Sequence, residues 1–181
     1  MITKPRATID DLFEIDGKAE LVNGEIVRMP PTGDEPGRSG GAVFVSLMAY
    51  ERATGLGYAY PDNVGFRVNM PNRDSFSPDA AFFTGPRAGM GFLDGAPVFA
   101  VEVRIAGDYG PKAERDMADK RADYFAAGTQ VVWDVDLRSE APIRKYTAAT
   151  QQEPVAYRRG EAANAEPALP GWQFSVNELF V

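Results

Sequence analysis

The chain has 181 residues, no cysteine, no histidine and a formal net charge of -7, with 19 Lys and Arg against 26 Asp and Glu. That length can bury a core without disulfides or structural zinc, so a single domain over residues 1–181 is expected. The missing residue types exclude thiol nucleophiles, Ser-His-Asp triads, zinc fingers and histidine proton shuttles, and the acid excess disfavours tight nonspecific binding to a polyphosphate while leaving room for a local basic groove.

The opening residues, Met1-Ile2-Thr3-Lys4-Pro5-Arg6, run into Asp10-Asp11 without an apolar stretch, so an ordinary signal peptide is not expected. No later window approaches the roughly 18 apolar residues of a membrane span. A cytoplasmic location is the expectation. Thr8 before Asp10-Asp11-Leu12-Phe13 predicts a short capped helix with acids in its first turn. Glu20-Leu21-Val22 and Glu25-Ile26-Val27 flank Asn23-Gly24, the dipeptide suited to the positive φ angles of a type I′ turn, and predict a β-hairpin.

Residues Met29 to Gly37, rich in Pro and Gly, read as a loop, and Val43, Phe44, Leu47 and Met48 predict a helix from Arg38 to Thr54 stopped by Gly55. Three strands are expected in one sheet: Gly65 to Asn69, Asp79 to Phe83 and Val98 to Ile105, with Gly85 to Pro97 as a loop. Pro111 suits a first helical turn, so Lys112 to Ala127 predicts a helix ended by Gly128, with a strand from Val131. Ile143 to Thr147 and Val155 to Tyr157 suggest further strands, and Ser175-Val176-Asn177-Glu178 has the form of a capping box. The order helix, three strands, helix, strand implies a mixed sheet covered by helices, an α/β (α+β) fold.

Alternation along Val98 to Ile105 places Phe99, Val101, Val103 and Ile105 on a core face and Val98, Ala100, Glu102 and Arg104 on a face carrying charge. A mid-strand carboxylate needs solvent, a partner or a cation. Glu102 therefore reads as an ion-pair partner of Arg104, as a residue of a solvent-facing strand or as a functional acid. Asp79, after Ser77-Pro78 and before Ala80-Ala81-Phe82-Phe83, is either an ordinary strand-start acid or the second member of an acid pair. Lys120 falls on the inward stripe with Met117, Tyr124 and Ala127, where a lysine either snorkels or faces those acids. Two carboxylates on adjacent strands suit a hard cation such as magnesium or manganese, and a lysine ammonium beside them suits phosphodiester hydrolysis.

Several pieces, in order, resemble the putative restriction endonuclease family of the PD-(D/E)XK nuclease superfamily. They are Ala19-Glu20-Leu21-Val22-Asn23-Gly24-Glu25, Ser77-Pro78-Asp79, Val101-Glu102-Val103-Arg104, Asp119-Lys120-Arg121-Ala122-Asp123-Tyr124, and Gly128 followed by Val132-Trp133-Asp134-Val135-Asp136. The resemblance runs from about Ile9 to about Tyr146. It implies a restriction-endonuclease-like core, with the N-terminal hairpin and extra C-terminal strands attached, acting as a divalent-metal-dependent endonuclease on DNA. Asp79 would be the acid of the "PD" element and Glu102 the acid of the second strand motif, with the Val103 carbonyl as a further ligand. Lys120 would be the lysine carried on the following helix. Glu20, in the opening motif, would be a further acid near the metal or else a hairpin residue paired with an arginine.

The chain departs from that pattern at Arg104, which takes the usual lysine position, at Ile105, where relatives often have Ser, and at Ser39-Gly40, where they often have His-Gly. A catalytically inactive dimeric interaction or regulatory module of the same fold therefore stays open, as does a small-molecule metal phosphoesterase. A homodimer would suit cutting of both strands. Arg104, Lys112, Arg115, Lys120 and Arg121 could line a groove for a phosphate backbone or form a solvated face balanced by Glu114, Asp116 and Asp119.

Overall fold

The computed structural model describes residues 5–180, so Met1 to Lys4, part of the segment on which the leader expectation rests, lie outside it. Helix α1 (Ile9–Phe13) opens on Thr8, whose hydroxyl accepts from the Asp11 amide while the Asp11 carboxylate accepts from the Thr8 amide. Strands β1 (Ala19–Val22) and β2 (Glu25–Arg28) form the expected hairpin, with Asn23 at φ 53° and Gly24 at φ 73° in its turn.

Helix α2 spans Asp34–Thr54, one turn longer at its start than the sequence suggested. Pro36 is the third helical residue, and the first i to i-4 bond is donated by Gly37 to the Gly33 carbonyl, so the missing N–H of the proline costs nothing there. Asp34 and Glu35 favour that end of the helix dipole, and the Gly and Pro content that reads as loop is a helix start. Gly55, at φ 65°, ends the helix in the left-handed conformation.

Strands β3 (Tyr58–Pro61), β4 (Phe66–Arg67), β5 (Ser75–Phe76), β6 (Ala80–Phe83), β7 (Leu93–Asp94) and β8 (Phe99–Val103) precede helix α3 (Pro111–Ala126). Strands β9 (Val131–Val135), β10 (Ile143–Thr147), β11 (Thr150–Tyr157), β12 (Ala162–Asn164) and β13 (Gln173–Ser175) follow, and Val176–Phe180 forms a 3-10 turn. The main sheet has the order β11-β10-β9-β8-β6-β3, with β8 and β9 parallel and the other neighbours antiparallel.

The expectation that the Gly65 to Asn69 segment joins Asp79 to Phe83 in one sheet is corrected. Only Phe66–Arg67 is strand, and it lies in a separate three-stranded sheet, β5-β4-β7. The edge beside β6 is filled by β3, which α2 holds through the Glu51 carboxylate accepting the Ala59 amide at 2.7 Å. Four residues ending in proline gave β3 little sequence signal.

A second correction concerns β8. Phe99, Val101 and Val103 pack under α2 and the C-terminal segment with Val43, Leu47 and Trp133, as expected of a core face. The opposite face is also covered, since Ala100 is fully buried among Phe66, Phe76, Tyr124 and Val132 beneath α3 and the small sheet. Glu102 therefore emerges at the margin of a second core instead of on a solvated face.

Candidate functional site

Strand β8 delivers Glu102 to the face of the sheet on which α3 lies, and the turn before β6 delivers Asp79 beside it. The Asp79 amide donates to the Val101 carbonyl and its Oδ2 accepts the Val103 amide at 2.6 Å, so the carboxylate is tied to β8 from both ends of the residue. Asp79 and Glu102 line one cleft of about 460 Å³, with Lys18, Val103, Lys120 and Tyr124 among the other walls.

The sequence-derived trio is only partly a direct cluster. Lys120 Nζ donates to Glu102 Oε2 at 2.9 Å and lies 2.9 Å from Glu20 Oε1, bridging the two glutamates. Tyr124, one helical turn on, donates its hydroxyl to Glu102 Oε1 at 2.6 Å. Asp79 is instead paired with Lys18, whose Nζ donates to Asp79 Oδ1 at 2.6 Å and also reaches Asp62 Oδ1 at 2.7 Å.

Glu20 is held on the far side of Lys120. Its Oε1 accepts the Ser77 amide at 2.8 Å, and its Oε2 accepts Arg73 Nη1 at 2.7 Å, while Arg73 Nε donates to Asp123 at 2.8 Å. Glu102 does not pair with Arg104. That guanidinium grips the buried Asp134 through two hydrogen bonds of 2.8 and 2.7 Å, and it also binds Glu114.

The charges follow from this packing. Burial pushes the Glu102 carboxyl up, and the nearby Asp79 and Glu20 carboxylates add to that against the pull of Lys120 and Lys18. For Lys120, burial opposes the charge, but Glu102 and Glu20 outweigh it and raise its pKa, so the ammonium keeps its proton. Burial likewise opposes the Lys18 charge, and Asp79 with Glu102 more than restores it. Burial and the two glutamates hold the Tyr124 phenol far above its ordinary value, so it is a neutral donor. Glu20, although buried, is kept low by Lys120 and Arg73.

Among the described residues no group of three or more His, Cys, Asp or Glu side chains gathers in a metal-holding arrangement. Two carboxylates still face one cleft, and magnesium is commonly held by only one or two carboxylates with waters completing its shell. Their oxygen donors fit a hard divalent cation.

The sequence reading had no sign of Lys18, Asp62 or Arg73. Lys18 follows Gly17 in a bend, outside any periodic pattern. Tyr124 was visible as an inward residue of α3, but nothing in its spacing marked the hydroxyl.

Comparison with known families decides the assignment. The Uma2 family, described as "Putative restriction endonuclease", matches residues 8–177. The chain belongs to this family. Among solved structures it is similar to a protein from Anabaena variabilis described as a putative nuclease belonging to DUF820, with a TM-score of 0.73 and 17% identity over 96% of this chain and 97% of that one. At that identity the likeness speaks for the fold. No curated protein matches the chain. Among the described residues no helix is long and apolar enough to cross a membrane.

Proposed function

We propose that the chain is a divalent-metal-dependent endonuclease of the PD-(D/E)XK type acting on DNA, with one domain carrying the whole site. The observation that carries this reading is the convergence of Asp79 and Glu102 on a single cleft, with the Lys120 ammonium 2.9 Å from Glu102. Asp79, Glu102 and the Val103 carbonyl would hold magnesium or manganese. Such a cation would polarise the scissile phosphate and make a bound water easier to deprotonate.

The remaining chemistry belongs to the protein. Lys120, with its pKa raised by Glu102 and Glu20, is a poor base and acts as a fixed positive charge. From the edge of the cleft it orients the attacking water and neutralises charge on the pentavalent phosphorus oxygens. Tyr124 adds a second hold on the Glu102 carboxylate, so that the acid presents one orientation to the cleft. Glu20, saturated by Arg73, Ser77 and Lys120, is better placed to anchor Lys120 than to ligate metal.

A second reading is favoured by one observation: both acids of the proposed metal pair already have a lysine partner, Lys18 on Asp79 and Lys120 on Glu102. In that case the network is a closed set of ion pairs in a non-catalytic module. Calorimetric titration of manganese separates the two readings. Wild type is expected to bind and Glu102→Ala, still folded by circular dichroism, to lose binding. A folded Glu102→Ala variant with wild-type affinity would remove Glu102 from the metal site, and no uptake by wild type, with or without duplex DNA, would favour the closed network.

A further inference from the structure

Lys18 stands out in the cleft because it holds Asp79 Oδ1, the oxygen without a backbone hydrogen bond. Asp79 Oδ2 already accepts the Val103 amide, and Lys18 Nζ sits 2.6 Å from Oδ1. The lysine is 12% exposed and Asp79 14%, so this contact is shielded from salt, unlike a surface pair. A dication ligated by Oδ1 would meet this ammonium at short range as a like charge.

The surroundings offer Lys18 a second partner. Its backbone is fixed, because the Lys18 carbonyl accepts the Met29 amide at 2.9 Å at the base of the hairpin, but its side chain already touches Asp62 Oδ1 at 2.7 Å. Asp62 lies just past β3 and its side chain is 45% exposed, so it can hold the ammonium at the solvent edge. Asp62 and Asp79 also line a common smaller pocket against α2.

We propose that Lys18 is the resident counter-cation of the cleft: it competes with the divalent cation for Asp79 Oδ1 and is received by Asp62 when that cation enters. The proposal rests on the metal reading above and adds how the site is regulated. A protein built in this way keeps Asp79 compensated without metal and binds metal more weakly than its two carboxylates alone would. Occupancy then follows the free concentration of the divalent cation instead of being permanent.

The test is calorimetric titration of manganese into the full chain at one ionic strength, comparing wild type, Lys18→Met, Asp62→Ala and the double variant, with Lys18→Gln as the alternative should Lys18→Met fail to fold. Removing the like charge should tighten manganese binding by about tenfold or more. Asp62→Ala should weaken binding several-fold in wild type, where Lys18 loses its second partner, and have little effect in the Lys18→Met background. Wild type that binds manganese while Lys18→Met and Lys18→Gln bind no more tightly would overturn the proposal and leave the metal site standing. Equal weakening by Asp62→Ala in both backgrounds would overturn it too, by reducing Asp62 to a simple negative charge. Absence of binding in wild type and both Lys18 variants would remove the metal reading and the proposal together.

Discussion

Lys120 bridges two carboxylates, Glu20 and Glu102, and this geometry limits what it can do. A lysine at 2.9 Å from both Glu20 and Glu102 is locked in place and protonated, so its contribution to phosphodiester cleavage would be electrostatic. Lys120→Ala should therefore lower the rate of manganese-supported plasmid cleavage by about 100-fold, the scale seen when one preorganised donor to a developing oxyanion is removed. Manganese affinity should not fall, because deleting a neighbouring positive charge leaves Glu102 more attractive to a cation. Rates measured on folded variant are decisive: wild-type turnover would reduce Lys120 to a bridge between two acids. The residues for this argument, Glu102 and Lys120, were legible because a charged side chain interrupted an apolar strand and an apolar helical stripe. Lys18 and Arg73 were not, since each lies in irregular chain where no periodicity makes a charge conspicuous, and only the fold brings them to acids 61 and 53 positions away.

At the scale of elements, legibility followed the strength of local constraint. The Asn23-Gly24 hairpin, the Thr8 cap of α1 and the Pro111-to-Gly128 bracketing of α3 each rest on a backbone requirement that few residues meet, and each appeared where expected. The start of α2 was hidden because its Gly and Pro content reads as loop although Pro36 is tolerated in a first helical turn, and the placement of β3 because tertiary contacts settle it. Strand β3 is aligned by the close approach of the preceding turn to β6. A Cβ on Gly57 would lie 2.5 Å from the Phe83 carbonyl oxygen and 2.7 Å from Phe82 Cε1, and neither the strand backbone nor the buried ring can yield freely. Gly57→Ala should thus destabilise the fold by about 1–3 kcal/mol, an overpacking cost, read as a lower urea midpoint with an unchanged slope. A midpoint within error of wild type would show that the α2–β3 connection relaxes without disturbing the sheet edge. Since β3 precedes Asp62, the same substitution also tests how firmly that side of the cleft is held.

Across the whole molecule, the balance of 19 basic against 26 acidic residues has to be reconciled with a nucleic-acid substrate. The cleft does not resolve the conflict by concentrating free positive charge. Each of its lysines and arginines has an acid partner: Lys18 has Asp62 and Asp79, Lys112 has Asp116, Lys120 has Glu20 and Glu102, and Arg104 and Arg121 share Asp134. A phosphate entering this cleft must break an ion pair to gain a contact, so little net counterion release is available. Binding of a short nonspecific duplex without divalent cation should accordingly be weak, with log K falling against log salt at a slope of about -1 to -3, where a protein making 6–10 phosphate contacts gives about -5 to -9. Fluorescence anisotropy across a salt series measures that slope directly. A shallow slope that steepens little with manganese would mean that DNA is held mainly through the metal and the shape of the cleft; a slope near -6 would require a basic surface outside the cleft and would move the DNA contact away from Asp79 and Glu102. Cleavage of small phosphodiesters with no detectable duplex affinity at low salt would instead assign the same site to a small-molecule phosphoesterase, for which an acidic exterior carries no electrostatic penalty.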